Sequence, residues 1–318
     1  MKTIVVFGAG GFIGGNLSKR LIEQGHRVIG ADIKTHEYLD IPFHKFYKLD
    51  LTHIENVRKV IGECKENVDE LYQLAADMGG ITYITGNNNA DIMSNSVRIN
   101  LNTAQVAVEK GVKKLFYSSS ACVYPEHNQL DPDNPMCAED SVYPADPDTE
   151  YGWEKLFSER LYESYRQQYG LNIRIARFHN IFGPYGTYKG GKEKAPAALC
   201  RKIIECKGSI DIIGDGKQTR SFLFIDDCLD AMELLMQSDY YHPINIGSED
   251  MVTIKHLADI IKDISAKDLI YQYIKGPQGV RGRNSDNTII RKVLNWEPKV
   301  TLQEGLVHTY IWITTQIN

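Results

Sequence analysis

The beginning of the chain alternates between short apolar runs and glycine-rich or polar interruptions. Residues 3–7 (TIVVF) are apolar and rich in β-branched side chains, and a glycine-rich loop follows them directly. After this loop, apolar residues recur at four-residue spacing up to Leu21, which predicts a helix. Residues 27–31 (RVIGA) predict a second strand that ends at Asp32. The chain therefore opens with a strand, a tight turn, a helix and a strand, a βαβ unit of about 30 residues.

The same alternation continues up to about residue 180. Residues 69–76 (DELYQLAA) and 113–120 (KKLFYSSS) predict further strands, and residues 54–64 and 90–110 predict helices between them. Strands that alternate with helices are typical of a parallel, doubly wound sheet. The predicted fold class is therefore α/β, with a Rossmann-type sheet in residues 1–180.

The alternation of predicted strands and helices becomes less regular in the last part of the chain. A helix is predicted near residues 195–206, short strands around 210–225, and two helical segments near the carboxyl end. Neither an internal repeat nor a low-complexity linker separates this part from the rest. We expect residues 181–318 to form a smaller substrate-binding region, packed with the first as one unit, with a cleft between them and some exchange of chain segments.

Composition and charge argue against several kinds of binding partner. The 318 residues include 36 Lys and Arg against 41 Asp and Glu, a net charge of −5, and 42% are hydrophobic. This is ordinary globular composition, and the charges form no basic block that would indicate binding to nucleic acid or to an anionic membrane. The chain enters its first strand without a signal-like segment, so we expect a cytoplasmic protein. Six scattered cysteines without a C-x-x-C pair favour reduced thiols over disulfides or a zinc site, so no metal is predicted.

The glycine-rich loop has the spacing of a dinucleotide site. Gly8, Gly11 and Gly14 follow a predicted strand and open a predicted helix. Glycines let the backbone approach a pyrophosphate, which then lies at the positive end of the helix. Asp32, at the end of the second strand, can accept hydrogen bonds from ribose hydroxyls and would repel a 2′-phosphate. The loop predicts a dinucleotide cofactor, with NAD favoured over NADP, although Lys34 two residues later weakens that preference.

Tyr151 and Lys155 form a candidate acid/base pair. At i and i+4 of a predicted helix they share one face, and a nearby ammonium favours the tyrosinate needed to take a proton from an alcohol. The spacing itself is weak evidence, because the chain has three more such pairs, which are Tyr185/Lys189, Tyr188/Lys192 and Tyr271/Lys275. Position favours the first pair, since it follows the strand whose Ser119 and Ser120 end at the ligand-binding edge of the predicted sheet. From the residues alone, these serines are equally well explained as a solvated strand end.

Several segments together resemble one enzyme family. They are GAGGFIG (8–14), Asp32, AADMGG (75–80), SSACVYPE (119–126), YGWEK (151–155), RFHNIFGPYGT (177–187), GDGKQTRSFLFIDD (214–227) and the closing stretch 280–306. The combination is similar to the extended short-chain dehydrogenase/reductase family of NAD-dependent nucleotide-sugar enzymes, and it covers nearly the whole chain. The resemblance implies a homodimer through helices near 90–110 and 151–169.

The resemblance also implies the contacts of each ligand. For NAD these are Gly8, Gly11, Phe12, Ile13, Gly14, Asp32, Asp50, Leu51, Tyr151 and Lys155. For the nucleotide sugar they are Met78, Gly79, Gly80, Asn180, Lys194, Lys202, Gln218, Arg220 and Arg283.

Within the family, four segments carry a closer resemblance: SSACVYPE (119–126), GTYKGGKEKAPAALCRK (186–202), NIGSEDMV (245–252) and VRGRNSDN (280–287). They are most similar to the branch that epimerises GDP-mannose, a GDP-hexose, at carbons 3 and 5. Family members that eliminate water carry Thr-Asp-Glu where this chain has Ser120, Ala121 and Cys122. Losing both carboxyls argues against elimination, and a thiol in their place favours proton transfer next to a ketone. In this branch Tyr151, with Lys155 and Ser120, would oxidise carbon 4 together with NAD, while Cys122 acts as base and Lys194 as acid.

Simpler explanations compete for each of these residues. A cysteine is more often a small core residue than a base, and Lys194, with Lys189 and Lys192, can be part of a solvated basic loop. Arginines such as Arg220, Arg281 and Arg283 are often plain surface residues, Asn180 can be a turn former, and His179 is interpreted as structural.

Two other functions stay open. One is a 4-epimerase, a 4-dehydrogenase or an epimerase of another GDP-sugar, such as a heptose, in the same fold. The other is a non-enzymatic dinucleotide sensor, for which loss of the Tyr/Lys pair is expected; both residues are present here.

Overall fold

A computed structural model describes residues 1–64 and 67–317 of the chain. Its strands, in chain order, are β1 (Thr3–Phe7), β2 (Arg27–Asp32), β3 (Lys45–Lys48), β4 (Glu70–Gln73), β5 (Lys114–Ser120), β6 (Ile173–Phe178), β7 (Ile181–Phe182), β8 (Ser209–Ile213), β9 (Thr219–Ser221), β10 (Leu223–Phe224), β11 (Ile244–Ile246), β12 (Met251–Thr253), β13 (Ile270–Ile274) and β14 (Gly282–Arg283).

The helices connect and cover these strands. They are α1 (Phe12–Glu23), α2 (Ile54–Gly62), α3 (Ile81–Ile84), α4 (Asn89–Glu109), α5 (Glu150–Tyr169), α6 (Ala195–Glu205), α7 (Ile225–Gln237), α8 (Ile254–Ser265), α9 (Thr288–Leu294) and α10 (Leu302–Ile317). Three short 3₁₀ turns lie between β5 and α5, at residues 121–123, 126–129 and 139–142.

A seven-stranded parallel sheet forms the centre of the molecule. Its strand order is β11-β6-β5-β4-β1-β2-β3, and neighbouring strands are parallel throughout. The order reverses direction between β1 and β4, which is where a doubly wound sheet opens a ligand crevice at its carboxyl edge. The predicted α/β class with a Rossmann-type sheet is confirmed.

Side chains of the central strands alternate between two hydrophobic layers. On β1, Ile4 and Val6 belong to the layer that includes α1 and α7, while Val5 and Phe7 belong to the layer that includes α2 and α4. Because parallel strands are covered by helices on both faces, all five residues of β1 are buried. The sheet is therefore a rigid support for residues at its carboxyl edge.

Residues after 180 build smaller sheets and also return to the central one. Strand β9 pairs antiparallel with β12 and parallel with β14, while β8 pairs with β13 and β7 with β10. Strand β11 joins the central sheet beside β6, so one segment that follows residue 180 lies in the central sheet. In the part of the chain that the structure describes, no helix has the length and apolar character needed to cross a membrane.

Candidate active site

A cavity of about 330 Å³ opens beyond the carboxyl end of β5. The end of β5 and the 3₁₀ turn after it form one side, and α6, the residues around β8, and residues 277–280 form others. This volume is at the lower end of the range usual for small-molecule sites. The cavity is therefore large enough to hold part of a substrate while its walls contact the rest.

The cavity brings together residues that are far apart in the chain. Four of the five predicted catalytic residues line it, and so do all nine predicted nucleotide-sugar contacts, with Lys194 in both sets. The lining residues among these predictions are Met78, Gly79, Gly80, Ser120, Cys122, Tyr151, Asn180, Lys194, Lys202, Gln218, Arg220 and Arg283. Their grouping leaves open what each residue does, so the roles stay predictions.

The glycine-rich loop has the geometry of a dinucleotide cradle. Gly8 has a φ of +80°, and a Cβ on Gly14 would lie 2.2 Å from the Gly8 carbonyl oxygen. Helix α1 starts after Gly11, which has no side chain to cap it, and its first turn carries no acidic residue. The first-turn N–H groups of Phe12 and Ile13 therefore lack intrahelical acceptors and are available to an anion. These features fit a bound pyrophosphate.

Asp32 lies at the end of β2, next to this loop. Its two carboxylate oxygens accept hydrogen bonds from the backbone N–H groups of Gly10 at 3.0 Å and Lys34 at 3.1 Å. Burial raises the pKa of Asp32, and these hydrogen bonds oppose the rise. Asp50 and Leu51 follow β3, the neighbouring strand, so they lie along the same edge of the sheet. The arrangement fits the adenosine half of NAD.

Tyr151 and Lys155 lie on the first turns of α5, as the spacing predicts. Thr149 caps this helix through a hydrogen bond from the Gly152 N–H. The Lys155 Nζ is buried, donates a hydrogen bond to the Ser118 carbonyl at 2.9 Å and lies 5.6 Å from the centre of the Tyr151 ring. Lys155 is thus held between the end of β5 and the face of Tyr151.

Burial governs the protonation of this pair. It raises the pKa of Tyr151, and nearby Cys122 and Glu154 add to the rise, while a hydrogen bond with Ser120 opposes it. Burial also lowers the pKa of Lys155, with Glu154 opposing. In this environment Tyr151 holds its proton, and the hydrogen bond with Ser120 favours the ionised phenol.

Of the four Tyr/Lys pairs, only Tyr151/Lys155 places its tyrosine in the cavity lining. Tyr271 bonds Asp259 on α8, and Lys192 lies over the ring of Tyr83 at 3.8 Å rather than over Tyr188. Tyr151/Lys155, the pair favoured by its position in the sequence, is therefore the pair whose tyrosine reaches the cavity.

Cys122 projects from the 3₁₀ turn after β5, with its backbone N–H bonded to the Ser120 hydroxyl at 3.2 Å. Arg283, on β14, donates a hydrogen bond from Nη1 to the Cys122 Sγ, also at 3.2 Å. The thiol is only partly buried and borders the cavity, so it differs from the fully buried Cys200 and Cys228.

Lys194 stands immediately before α6 and is exposed within the cavity. The surrounding protein still excludes much of the solvent, which lowers the pKa of Lys194, while Cys122 opposes this effect. A lysine with a lowered pKa gives up its proton more readily than a solvated one.

The other predicted substrate contacts are held mainly by backbone groups. Arg220 donates hydrogen bonds to the carbonyls of Thr219 and Val280 at 2.7 Å, and burial lowers the pKa of Arg220 to about 10. Lys202 donates to the Asp211 carbonyl at 2.9 Å. The buried Oε1 of Gln218 has no hydrogen-bond partner. It is an acceptor available to a ligand.

Residues that the sequence did not single out complete the site. Asp148 and residues 277–280 line the cavity, and Gln129 bonds Arg283 behind it. Only the neighbourhood of Asp148 to Tyr151 in the chain could have drawn attention to it. Arg281 and His179 do not line the cavity. Arg281 pairs with Asp215 at the surface, and the buried His179 places its Nε2 2.8 Å from Oδ1 of Asn245.

Fold and site together define a class of protein: a Rossmann-type enzyme with a dinucleotide loop and a Tyr/Lys pair beside a cavity. The family model for the NAD dependent epimerase/dehydratase family matches residues 4–247. The chain is 45% identical over 316 residues to GDP-mannose 3,5-epimerase 1 of Oryza sativa subsp. indica and to GDP-mannose 3,5-epimerase of Arabidopsis thaliana, covering 99% of this chain and 82% of each relative. Among solved structures, UDP-glucose 4-epimerase of Thermotoga maritima with UDP-glucose is similar, with a TM-score of 0.88 and 26% identity over 99% of this chain and 100% of that one.

The chain belongs to the NAD dependent epimerase/dehydratase family. The family resemblance and the NAD dependence predicted from the sequence are confirmed.

Proposed function

We propose that this enzyme inverts carbons 3 and 5 of the hexose of GDP-mannose through a transient ketone at carbon 4. The observation that carries this proposal is the meeting of Tyr151 and Ser120 with Cys122 and Lys194 in one cavity. Tyr151 and Ser120 can serve an oxidation, and Cys122 and Lys194 supply two further groups for proton transfer. The 45% identity to plant enzymes named for this reaction supports the proposal.

Tyr151 exchanges the proton of the sugar 4-hydroxyl. The glycine-rich loop and Asp32 would hold NAD, which would supply reversible hydride transfer at carbon 4. Since burial raises the pKa of Tyr151, the phenol is protonated at rest and must first release this proton to solvent. Ser120 and Lys155 lower the cost of the phenolate, which then takes the proton of the 4-hydroxyl. The same phenol returns its proton to the oxygen when the ketone is reduced.

Cys122 and Lys194 act on the carbons beside the ketone. A ketone at carbon 4 acidifies the hydrogens on carbons 3 and 5, so one oxidation permits inversion at both. Inversion requires that a proton leave one face of the carbon and another arrive on the opposite face. Cys122, which accepts a hydrogen bond from Arg283, is the base that removes the first proton, and Lys194, whose pKa is lowered by its surroundings, donates the second.

The nucleotide end of the substrate lies among the cationic residues of the cavity. Arg220, Arg283 and Lys202 place positive charge along its wall and suit a diphosphate. The unpartnered Oε1 of Gln218 accepts a hydrogen bond from the nucleoside. Met78, Gly79, Gly80 and Asn180 border the sugar.

The two parts of the chain bind different ligands. Residues 1–180 bind NAD, since they hold the glycine-rich loop, Asp32 and the Tyr151/Lys155 pair. Residues 181–318 mainly bind the nucleotide sugar, since Lys194, Lys202 and the two arginines belong to them.

The enzyme acts as a homodimer in the cytoplasm. Large apolar side chains are exposed on α4 and α5, the helices expected to form the dimer: Leu101 is 42%, Trp153 40% and Phe157 50% exposed. Six free cysteines support a reducing compartment. Light scattering of the wild type and of Phe157→Glu tests the dimer, and an unchanged mass in the variant contradicts this interface.

The decisive experiment follows hydrogen exchange with solvent. Purified enzyme is incubated with GDP-mannose and other nucleotide sugars in deuterated water, and product mass and stereochemistry are measured. We expect GDP-mannose to gain deuterium at carbons 3 and 5 with inversion. A product inverted only at carbon 4, without solvent deuterium, would instead identify a 4-epimerase.

Two variants separate oxidation from proton transfer. Cys122→Ala and Lys194→Ala leave Tyr151 and Lys155 in place, so both should accumulate NADH absorbance and a 4-keto sugar without inverted, deuterated product. Cys206→Ala removes a partly buried thiol outside the cavity lining and should behave as wild type. Normal deuterium uptake by Cys122→Ala would make Cys122 a packing residue.

A further inference from the structure

Two nitrogens of the Arg283 guanidinium donate hydrogen bonds, and the third lies near a carboxylate without forming one. Its Nε donates to Oε1 of Gln129, its Nη1 to Sγ of Cys122 at 3.2 Å, and its Nη2 lies 3.5 Å from an Asp148 carboxylate oxygen. Arg283 is only 8% exposed. Its direction is therefore set by protein contacts before any substrate arrives.

Gln129 is the most firmly held of these partners. It is fully buried, and its Nε2 donates hydrogen bonds to the carbonyls of Tyr124 at 3.0 Å and Pro125 at 3.1 Å. Turning the amide over would lose both bonds and present N–H groups to a cation. Its Oε1 is thus fixed toward Arg283.

A guanidinium is planar, so fixing its Nε bond and the chain before it also fixes where Nη1 points. We propose that Gln129 is a positioning residue, which holds the Arg283 guanidinium against the Cys122 sulfur so that this thiol is ready to act as a base. This inference rests on the proposed function, in which Cys122 takes a proton. It gives Arg283 a task at the sulfur in addition to contact with the diphosphate.

Other charged groups act on the thiol from the remaining walls. Lys155 and Tyr151 on α5, Lys194 before α6 and Arg220 on β9 all interact electrostatically with Cys122. Asp148 faces Arg283 and opposes the effect of its charge. These groups are unchanged when Gln129 is substituted, so a comparison of variants isolates its contact with Arg283.

The experiment measures alkylation of Cys122 by iodoacetamide in the NAD-loaded enzyme, without nucleotide sugar. Mass spectrometry of the Cys122 peptide gives the rate at about pH 7 and at about pH 9.5, where ordinary thiols are largely ionised. The Cys206 peptide in the same digest is the internal reference. The variants are Gln129→Met, Arg283→Met, the double variant and Asn128→Leu. Asn128 is the matched control, because it lies in the same 3₁₀ turn as Gln129 and its side-chain amide donates a hydrogen bond to the Ser141 carbonyl at 3.1 Å.

A hydrogen bond to a charged group is worth roughly tenfold or more in an equilibrium. We therefore expect alkylation at about pH 7 to slow about tenfold in Arg283→Met and about threefold or more in Gln129→Met, with little change at about pH 9.5. The double variant should be no slower than Arg283→Met, since Gln129 acts through Arg283. Asn128→Leu should match the wild type.

The proposal is overturned if Cys122 in Gln129→Met is alkylated at the wild-type rate at about pH 7, or if the two substitutions slow alkylation additively in the double variant. If Gln129→Met does not fold, Arg283→Lys tests the same contact from the other side. The lysine keeps a cation but lacks the Nε that Gln129 binds. Alkylation of Cys122 at the wild-type rate in Arg283→Lys would therefore show that the contact between Gln129 and Arg283 is dispensable. Because no substrate is present, a negative result here is distinct from a failure of GDP-mannose epimerisation.

Discussion

Glu159 links the helix that carries Tyr151 to the central sheet. Its carboxylate accepts two hydrogen bonds from Arg177 on β6, at 2.8 and 3.0 Å, and a third from the Ser119 hydroxyl on β5 at 2.5 Å. The side chains of Glu159 and Arg177 are only 5% and 3% exposed. Burial lowers the pKa of Arg177, but Glu159 and Tyr124 together raise it above its ordinary value. Glu159→Gln would leave this buried guanidinium without a counter-charge.

The expected cost follows from that burial. Removing one partner of a buried ion pair typically costs about 3 to 5 kcal/mol, because the remaining charge has no solvent to stabilise it. Unfolding entropy for a chain of 318 residues is on the order of 0.7 kcal/mol/K near the midpoint. The midpoint of thermal unfolding should therefore fall by about 4 to 7 °C.

A second pair on the same helix provides the control. Glu163 binds Arg166 through two hydrogen bonds at 2.7 and 2.8 Å, but these side chains are 28% and 30% exposed. Solvent screens such a pair, so Glu163→Gln should cost at most about 1 kcal/mol. Calorimetry and urea unfolding measure both variants, and solvent deuterium uptake during turnover reports whether α5 still holds Tyr151 in place. Equal losses of stability in the two variants would refute the argument from burial.

Three further outcomes are expected. Wild-type enzyme should contain NAD, and Asp32→Ala should show a smaller preference for NAD over NADP in binding titrations. A wild-type preference for NADP would contradict the assignment of Asp32 to the ribose. Tyr151→Phe should lower turnover by about 10² to 10⁴-fold with substrate binding largely kept, and a near wild-type rate would place the acid/base elsewhere. Burial lowers the pKa of His179 to about 3, so below about pH 6.5 the unfolded chain binds a proton that the folded one refuses, and stability falls by up to about 1.4 kcal/mol per pH unit. Urea unfolding at several pH values should show a shallower loss for His179→Gln.

Much of the fold can be predicted from local patterns in the sequence. The β-branched run of β1, the glycine spacing before α1 and the position of Asp32 are features of neighbouring residues, so they are legible in the sequence. Strands β3, β6 and β11 of the central sheet were not predicted, and two of them, β3 and β11, have only four and three residues. Segments so short show no periodicity, and pairing with β2 and β6 makes them strands.

The sequence by itself determined the dinucleotide loop, the Tyr151/Lys155 spacing and, through its motifs, the family. Only the tertiary structure decided which partners surround the thiol. Gln129 and Arg283 are 154 positions apart, and Cys122 and Arg283 are 161 apart. No local periodicity relates such residues, because the return of the chain from the small sheets to the end of β5 sets their distance. A hydrogen bond between them depends on a few tenths of an ångström, and that precision comes from the packing of the whole molecule.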